Sequence, residues 1–495
     1  SGSSGAWTSL QADLLSTIPI VARYGIQSNH PSEHIAGVGS LTFGLNNAQD
    51  NSNKKIGYYS PGHANARTGF DVGIGVRLAI TYSGSTFYKF TGRLDEIQPV
   101  PGQYRGRQVV CTGVDWMDEA QITKPVAVPT AVGQRVDQLI TTLVAEIPRA
   151  PPSTCYFQGQ QQFPFALDTG RDETGSVYSE LKKCADSDLG YLYLQGDQTA
   201  GGKLVYHDRR YRLNSLCAVA SASLSNAMTE MAPTRRRANV YNTVITTVHP
   251  RRVDPSACAV MYALNTNSPP TIPGGATINV VGQFRDPQQQ AVRVGISSCI
   301  TPVSGTDYAM GVSASDTSLT ACLTATATVG GNSVYWTLQN TGVNSGLMSL
   351  LQLRGQGLYD YAPVRVSASD ATSSGSYGAH TLAMDLPHEV STQSASAIAD
   401  WYLLYYKTPN YFSDAVSFVA NDIDAQMRAA LFREPGDVVN VTEAVTGLAN
   451  ADYFINGVEL NCYSDSIINC KWVIAPRLDT TNYFVLENNG TTPGF

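Results

Sequence analysis

Short runs of alternating β-branched and aromatic residues, cut off by turn clusters at close intervals, constrain this chain more than any other feature. Runs over 40–45, 72–82, 86–90 and 108–114 place Val, Ile, Thr, Phe and Tyr in near alternation. Between them sit Asn46-Asn47, Ser60-Pro61-Gly62 and Pro101-Gly102. A period of two puts every second side chain on one face, so strands this short with turns at this spacing read as a barrel or a sandwich. Charged residues are 15% of the chain, against ~25% in an ordinary soluble protein, which suits a turn-rich β protein with a weakly charged surface.

The 495 residues predict about three or four domains. Residues 1–122 read as the first strand-rich unit, with 1–19 as an N-terminal arm. Past Pro129-Thr130 the apolar residues Val132, Val136, Leu139, Ile140, Leu143, Val144 and Ile147 recur on one helical face, with Thr130 as N-cap and Pro148 as the stop. A second helix over 174–186 buries Val177, Leu181, Cys184 and Ala185 and leads into a hairpin of 191–195 with 203–207. Residues 123–235 are therefore expected to be a small α+β domain and linker. Strand patterns return over 236–300 and again over 362–495, together expected to form a second barrel. Its covering helix runs over 393–407 and is built on Ala395, Ile398, Trp401, Leu404 and Tyr405. Between those halves, 301–361 packs short strands at the density of an immunoglobulin-like sandwich and reads as an insertion. The two all-strand regions are of similar size, which points to duplication of one barrel within the chain.

Little in the chain carries chemistry. No Gly-x-Ser-x-Gly, Walker A or dinucleotide fingerprint occurs. His30 and His34 have the spacing of a helical metal pair, but Pro31 interrupts the helix and no third ligand is near. Three acidic pairs are candidates for glycoside hydrolysis, which needs two carboxylates facing one cleft: Asp95-Glu96, Asp115 with Asp118, and Asp172-Glu173. Each also has a structural explanation, as a strand end or as negative charge at a helix N-terminus. Trp401-Tyr402 and Tyr405-Tyr406 resemble a sugar platform but stand at core-packing spacing. No catalytic, cofactor-binding or metal-binding residue is assigned, and no enzyme activity or cofactor is expected. A net charge of −7 argues against general nucleic-acid binding. Arg209-Arg210, Arg235-Arg236-Arg237 and Arg251-Arg252 read as linker or interface charge. No apolar window reaches the ~20 residues of a membrane span, so no stable membrane anchor is expected. The nine cysteines contain no Cys-x-x-Cys and read as reduced, mostly buried thiols. Cys462 and Cys470 could face each other across a hairpin turning near Asp465-Ser466, at a spacing that would permit a bridge, and the sequence leaves open whether they pair. The Asn440 and Asn489 sequons carry no weight without a secretory route.

A resemblance emerges from the order of the segments. Ser376-Tyr377-Gly378, the Ala-rich helix ending in Lys407-Thr408-Pro409, and Gly436-Asp437-Val438-Val439-Asn440-Val441 are similar to the second tube-like barrel of the baseplate hub, or tail-associated minor tail protein, family of tailed bacteriophages. Leu41-Thr42-Phe43-Gly44-Leu45-Asn46-Asn47, Phe90-Thr91-Gly92-Arg93-Leu94-Asp95-Glu96-Ile97 and Val110-Cys111-Thr112-Gly113-Val114-Asp115-Trp116-Met117 resemble the first hub barrel. The helix and Gly-rich hairpin over 178–207 are similar to the small domain between the two. The insertion at 301–361 departs from that pattern. The resemblance implies a mainly β fold with minor α+β: two tail-tube-like β-barrels, the small α+β domain and an inserted Ig-like β-sandwich. It further implies a homotrimeric hub that adapts a sixfold tube to a threefold tip. Expected partners are a distal tail or tube ring protein, the C-terminus of the tape-measure protein, and tip or fibre proteins, in a virion tail tip assembled in the host cytoplasm. The alternative is a virion-associated or secreted carbohydrate-binding or glycan-degrading protein using one of the acidic pairs.

Overall fold

The computed structural model describes residues 7–477 apart from 103–106, 126–127, 129, 160, 167–174, 197–201, 214–221, 227, 232, 265–267, 291, 293, 410–412 and 464–466. Asp172, Glu173, Cys217, Asp465, Ser466, Asn489 and a strand expected over 483–487 lie outside the described residues. The chain is mainly β with a minor helical share.

One sheet of eleven strands organises the rest. From the N-terminal part come β1 (Ile20–Gly25), β2 (Ser40–Asn46), β3 (Gly75–Tyr82), β4 (Ser85–Val100) and β5 (Gln108–Val114). From the remainder come β6 (Glu230–Met231), β7 (Ala415–Val419), β8 (Val438–Glu443), β9 (Leu448–Cys462) and β10 (Ile468–Pro476). Their order is β6-β7-β10-β9-β1-β2-β5-β4-β3, with β8 also on β9 and the strand Ala222–Ser225 parallel on β8. Strands whose sequence alternates do alternate in burial: β5 buries Val109, Cys111 and Gly113, and β7 buries Val416 and Phe418.

That order contains one topology twice. In the N-terminal unit β1 pairs β2, β2 pairs β5, β5 pairs β4 and β4 pairs β3, all antiparallel. In the C-terminal unit β6 pairs β7, β7 pairs β10, β10 pairs β9 and β9 pairs β8, again all antiparallel. The long fourth strand is bulged at the matching place in each: the register slips between Leu94 and Glu96 in β4, and between Ile455 and Gly457 in β9. A bulge bends a strand and steepens its twist, so each long strand can serve one neighbour with its first half and another with its second. The two units join where β1 lies along β9, from Ile20 opposite Cys462 to Gly25 opposite Gly457. Gly25 has φ +83°, and a Cβ there would meet the Asn456 carbonyl oxygen at 2.6 Å, so the joint requires glycine.

The two expected β-barrels do not form as separate closed barrels: among the described residues no sheet closes, and the duplication appears as two units fused in one open sheet with a common core. Leu45, Phe87 and Cys111 from the first unit pack in the same cluster as Phe418, Leu460 and Trp472 from the second. Lys89, the residue skipped in the β3–β4 register, is buried and crosses between units, its Nζ donating to the Leu431 carbonyl at 3.1 Å and to the Glu434 carboxylate.

Strand membership differs from the sequence expectation in two places. The strand Thr243–Val248, expected in the second barrel, pairs instead with Val364–Ser369 and Thr381–Leu386 in a separate three-stranded sheet. The helix Thr392–Tyr406 covers that small sheet, packing Ala395, Ile398, Ala399 and Tyr402 on Val244, Val248 and Leu386; Leu404, expected in its core, is exposed. The inserted module also begins earlier than residue 301. The strands Arg251–Val253, Ala259–Ala263 and Gly295–Cys299 pair with the long strand Gly346–Asp360, and Thr277–Gln283 pairs with Ser333–Asn340. Period-two patterns on both sides of residue 300 look alike, so local sequence does not reveal which sheet a strand joins.

In the α+β region the hairpin of Tyr191–Gln195 and Lys203–His207 forms as expected. The helix Val177–Asp188 buries Val177, Leu181, Cys184 and Ala185 and is capped by Ser176. The preceding helix starts later than its apolar period implies. Ala131–Arg135 is a strand paired with Gln162–Ala166, and helix Val136–Ala145 begins only where Gln138 Oε1 accepts the Arg135 N–H at 3.0 Å. Val132 is exposed rather than on the helix.

Trp472 is fully buried and meets Phe418 edge-to-face at 4.8 Å. Trp472→Ala is expected to cost ~3–5 kcal/mol in urea unfolding. Because the core is shared, hydrogen exchange should show Cys111 in β5 and Ile474 in β10 losing protection together in that variant. Loss confined to the C-terminal unit would contradict a common core.

Candidate functional site

The bulge in β4 and the exit of β5 bring the sequence-flagged acids together. Asp95 is the bulged residue, and Asp115 ends β5 and caps the short helix Trp116–Ile122, on which Asp118 and Glu119 make the first turn. With Arg93, Trp116 and Arg149 they line one cleft of about 390 Å³. Arg93 Nη1 reaches Glu119 Oε1 at 3.0 Å and Arg149 Nη1 reaches it at 3.8 Å. Trp116 Nε1 donates to the Arg149 carbonyl at 2.8 Å, fixing the rim.

The cleft has the raw material of carboxylate chemistry, but its most perturbed member is already committed. Asp115 Oδ1 accepts the Met117 N–H at 3.0 Å, and its carboxyl also accepts the Gly39 N–H. Asp115 therefore ties the segment leading into β2 to the helix after β5. Burial pushes its carboxyl up to about 7, the two N–H bonds opposing and Asp118 adding slightly. Asp118 is also raised, first by burial and then by the Asp95 charge, with Arg93 pulling the other way. Two carboxylates of unequal affinity in a cleft are what acid–base catalysis needs; here one of them is spent on backbone amides. Glu96 lies on exposed strand.

The other candidates are dispersed. His34 is buried with Nδ1 3.0 Å from Asp186 Oδ1, while His30 is exposed, its Nδ1 2.6 Å from Ser32 Oγ and its Nε2 3.1 Å from the Tyr241 hydroxyl. Among the described residues no group of three or more metal-ligating side chains occurs. Cys462 stands opposite Ile468, and Cys470 opposite Leu460; both thiols are free. Arg209 is buried 3.6 Å from Asp188, and Arg251 pairs with Asp360 at 2.6 Å, so those clusters are structural. Arg235, Arg236 and Arg237 are exposed just beyond β6. Trp401 and Tyr405 stack edge-to-face at 5.3 Å on the half-covered face of their helix.

Sequence reasoning missed the second half of β4. Beyond the bulge, Glu96–Val100 pairs only with β5; its other edge is open among the described residues, whereas the matching stretch of β9 is covered by β1. Pro99 was the available signal, since proline in a strand belongs at an edge.

No protein-family model and no curated protein matches the sequence. Solved structures of similar outline exist. A 43 kDa tail protein of prophage MuSo2 from Shewanella oneidensis aligns at 9% identity with a TM-score of 0.46, over 93% of this chain and 94% of its own. A tail protein from Neisseria meningitidis MC58 aligns at 10% identity and a TM-score of 0.46, over 94% and 98%. The prophage tail protein gp18 from Listeria monocytogenes EGD-e aligns at 8% and 0.38, over 93% and 89%.

Since the Asp115 carboxyl rises from its ordinary 3.8 to about 7 in the fold, the native state binds more protons than the unfolded chain between those values. Stability contributed by this group is complete below about pH 4 and is lost as pH rises through 7. Asp115→Asn removes the titration. Its stability relative to wild type, followed by thermal unfolding, should rise between pH 4 and 7 and level off above; a difference that stays flat would refute the assignment.

Proposed function

We propose that this chain is a structural component of a phage tail tip: a homotrimeric hub that closes the distal end of the tail tube and matches sixfold rings to a threefold tip. The observation that carries the reading is the repeated strand topology with one joint filled and its counterpart open. Within the chain, the leading strand of the N-terminal unit, β1, covers the second half of β9. By the same rule the leading strand of the C-terminal unit, β6 and the residues after it, would cover the second half of β4 in a neighbouring copy. A head-to-tail contact of this kind makes rings when the rotation closes. Three chains supply six units joined alternately within and between chains.

The matching registers make the contact specific. Counting from the two bulges, Glu96 corresponds to Gly457 and Asp95 to Asn456. Following the pairs across each unit, Met231 corresponds to Ile20 and Arg236 to Gly25. Gly25 sits opposite Gly457, so Arg236, which is extended, would sit in one copy opposite Glu96 of the next, and Arg237, which opens the 3-10 turn after it and donates to the Tyr377 carbonyl at 3.2 Å, would come close to Asp95. The basic run beyond β6 and the acidic bulge of β4 thus find a shared purpose. A hub of this type would meet a distal tail or tube ring protein, the end of the tape-measure protein and tip or fibre proteins, in a virion assembled in the host cytoplasm. Asp115 being bound to backbone amides favours this reading over a glycan-degrading one.

Native mass spectrometry should find a particle three times the 53.1 kDa chain mass. Asp95→Lys with Glu96→Lys should weaken assembly at least ~10-fold, because facing like charges repel. Adding Arg236→Glu and Arg237→Glu to the same chain should restore it. A wild-type monomer at micromolar concentration, or a swap that fails to rescue, would sink the pairing.

A further inference from the structure

A second, smaller cavity of about 70 Å³ lies where four parts of the chain meet. The loop after β1 brings Asn29 and Glu33, the α+β region brings Tyr191 and Arg212, the helix Thr392–Tyr406 brings Trp401 and Tyr402, and β9 brings Phe454 and Asn456. Arg212 dominates it. Only 7% of the residue is exposed, and its guanidinium carbon lies 3.4 Å from the Tyr191 ring centre and 5.0 Å from that of Phe454. Contact with two rings orients the guanidinium but satisfies none of its N–H donors.

Arg212 Nε and Nη2 are buried with no hydrogen-bond partner. These two donors form one edge of the guanidinium, the edge that meets both oxygens of a carboxylate in parallel. A buried charge without its counter-charge is costly; Asp188 faces Arg209 at 3.6 Å and accepts from the Tyr206 hydroxyl. Asn456 adds a second unmet need in the same cavity. Its Nδ2 donates to the Ser28 carbonyl at 2.8 Å, while its Oδ1 is buried without a partner. The cavity therefore offers a two-pronged donor for an oxyanion and one acceptor for an N–H or O–H.

We propose that this cavity is a carboxylate-binding site, sized for the head of an acidic side chain, with Arg212 as its fork. The volume is about half that of the ~150 Å³ engineered cavity that admits benzene, so the group that enters is a carboxylate carrying one to three carbons. Glu33 on the wall disfavours a doubly charged phosphate more than a singly charged carboxylate. A glutamate or aspartate presented by a docked polypeptide has this size and chemistry and brings an amide N–H for Asn456; a free short-chain carboxylate shares the chemistry without that donor. Because the walls come from four parts of the chain, an occupant would tie them together. The site does not depend on the tail role.

The test is a titration of the wild-type chain with propionate against propionamide, and with N-acetylglutamate N-methylamide against the corresponding glutamine derivative. Tryptophan emission reports binding, and Trp401→Phe shows which signal belongs to the cavity. The carboxylates should saturate at millimolar concentration and the amides bind at least tenfold more weakly. Arg212→Lys, which keeps the charge and removes the fork, should cost at least tenfold. Tighter binding of the glutamate derivative than of propionate supports a polypeptide source; equal binding supports a free carboxylate. Amides binding as well as carboxylates would overturn the proposal, as would carboxylates binding only in Glu33→Gln, which would make Glu33 the resident counter-ion. The wild-type comparison needs no variant to fold.

Discussion

Everything in this fold depends on β1 lying along β9. Arg23 and Glu459 face each other across that joint at 3.1 Å, although 436 residues separate them in sequence. Closing a loop of that length costs roughly 5 kcal/mol of chain entropy, more than one exposed ion pair returns. The apolar cluster beneath the joint supplies the rest: Ala22 and Tyr24 from β1 pack in one core with Val458 and Leu460 from β9. All other modules are inserted between these two strands, so each inherits its position from a contact between the two ends of the described chain.

The bulges decide how that joint is reached. Without the slip at Asn456, β9 would run straight past β8 and present its second half at the wrong angle to β1. The first unit carries its equivalent at Asp95 and a further slip that buries Lys89. A buried lysine is tolerated only when its donors are satisfied, and here the Leu431 carbonyl and Glu434 do so. Gly196 N–H donates to the second oxygen of Glu434 at 3.0 Å, extending the tie from the fused sheet into the α+β region.

What the sequence disclosed and what it hid follow from the range of the forces involved. Strand existence was legible because alternation is local: Gln108–Val114 and the 191–207 hairpin form where the pattern puts them. Sheet membership was not legible, because Thr243–Val248 and Ala415–Val419 carry the same period and only distant partners separate them. The acids of the cleft were visible as residue types. That Asp95 and Asp118 would share a cleft while Asp115 bonds two backbone amides depends on a bulge with no sequence signature. Arg212 drew no notice at all, being one arginine beyond a pair read as linker charge.

Charge in this molecule selects contacts more than it stabilises them. The surface is poor in charge, and one acidic run, Asp95-Glu96, falls at a strand edge, while the basic run Arg235-Arg236-Arg237 is exposed just beyond β6. Strand edges pair with any other edge through the same backbone groups, so backbone hydrogen bonding alone cannot choose among partners. Side chains must choose. At the filled joint Arg23 faces Glu459; at the open one Asp95, Glu96 and Pro99 line an edge that repels acidic strands and denies one N–H to any strand. An open edge built this way is poor at indiscriminate pairing and accepts best a strand that arrives with basic residues. In the proposed assembly the two joints of the duplicated unit differ in backbone as well as in charge: Gly25 at φ +83° lies opposite Gly457 within the chain, whereas Arg236 at φ −112° would meet Glu96 between copies.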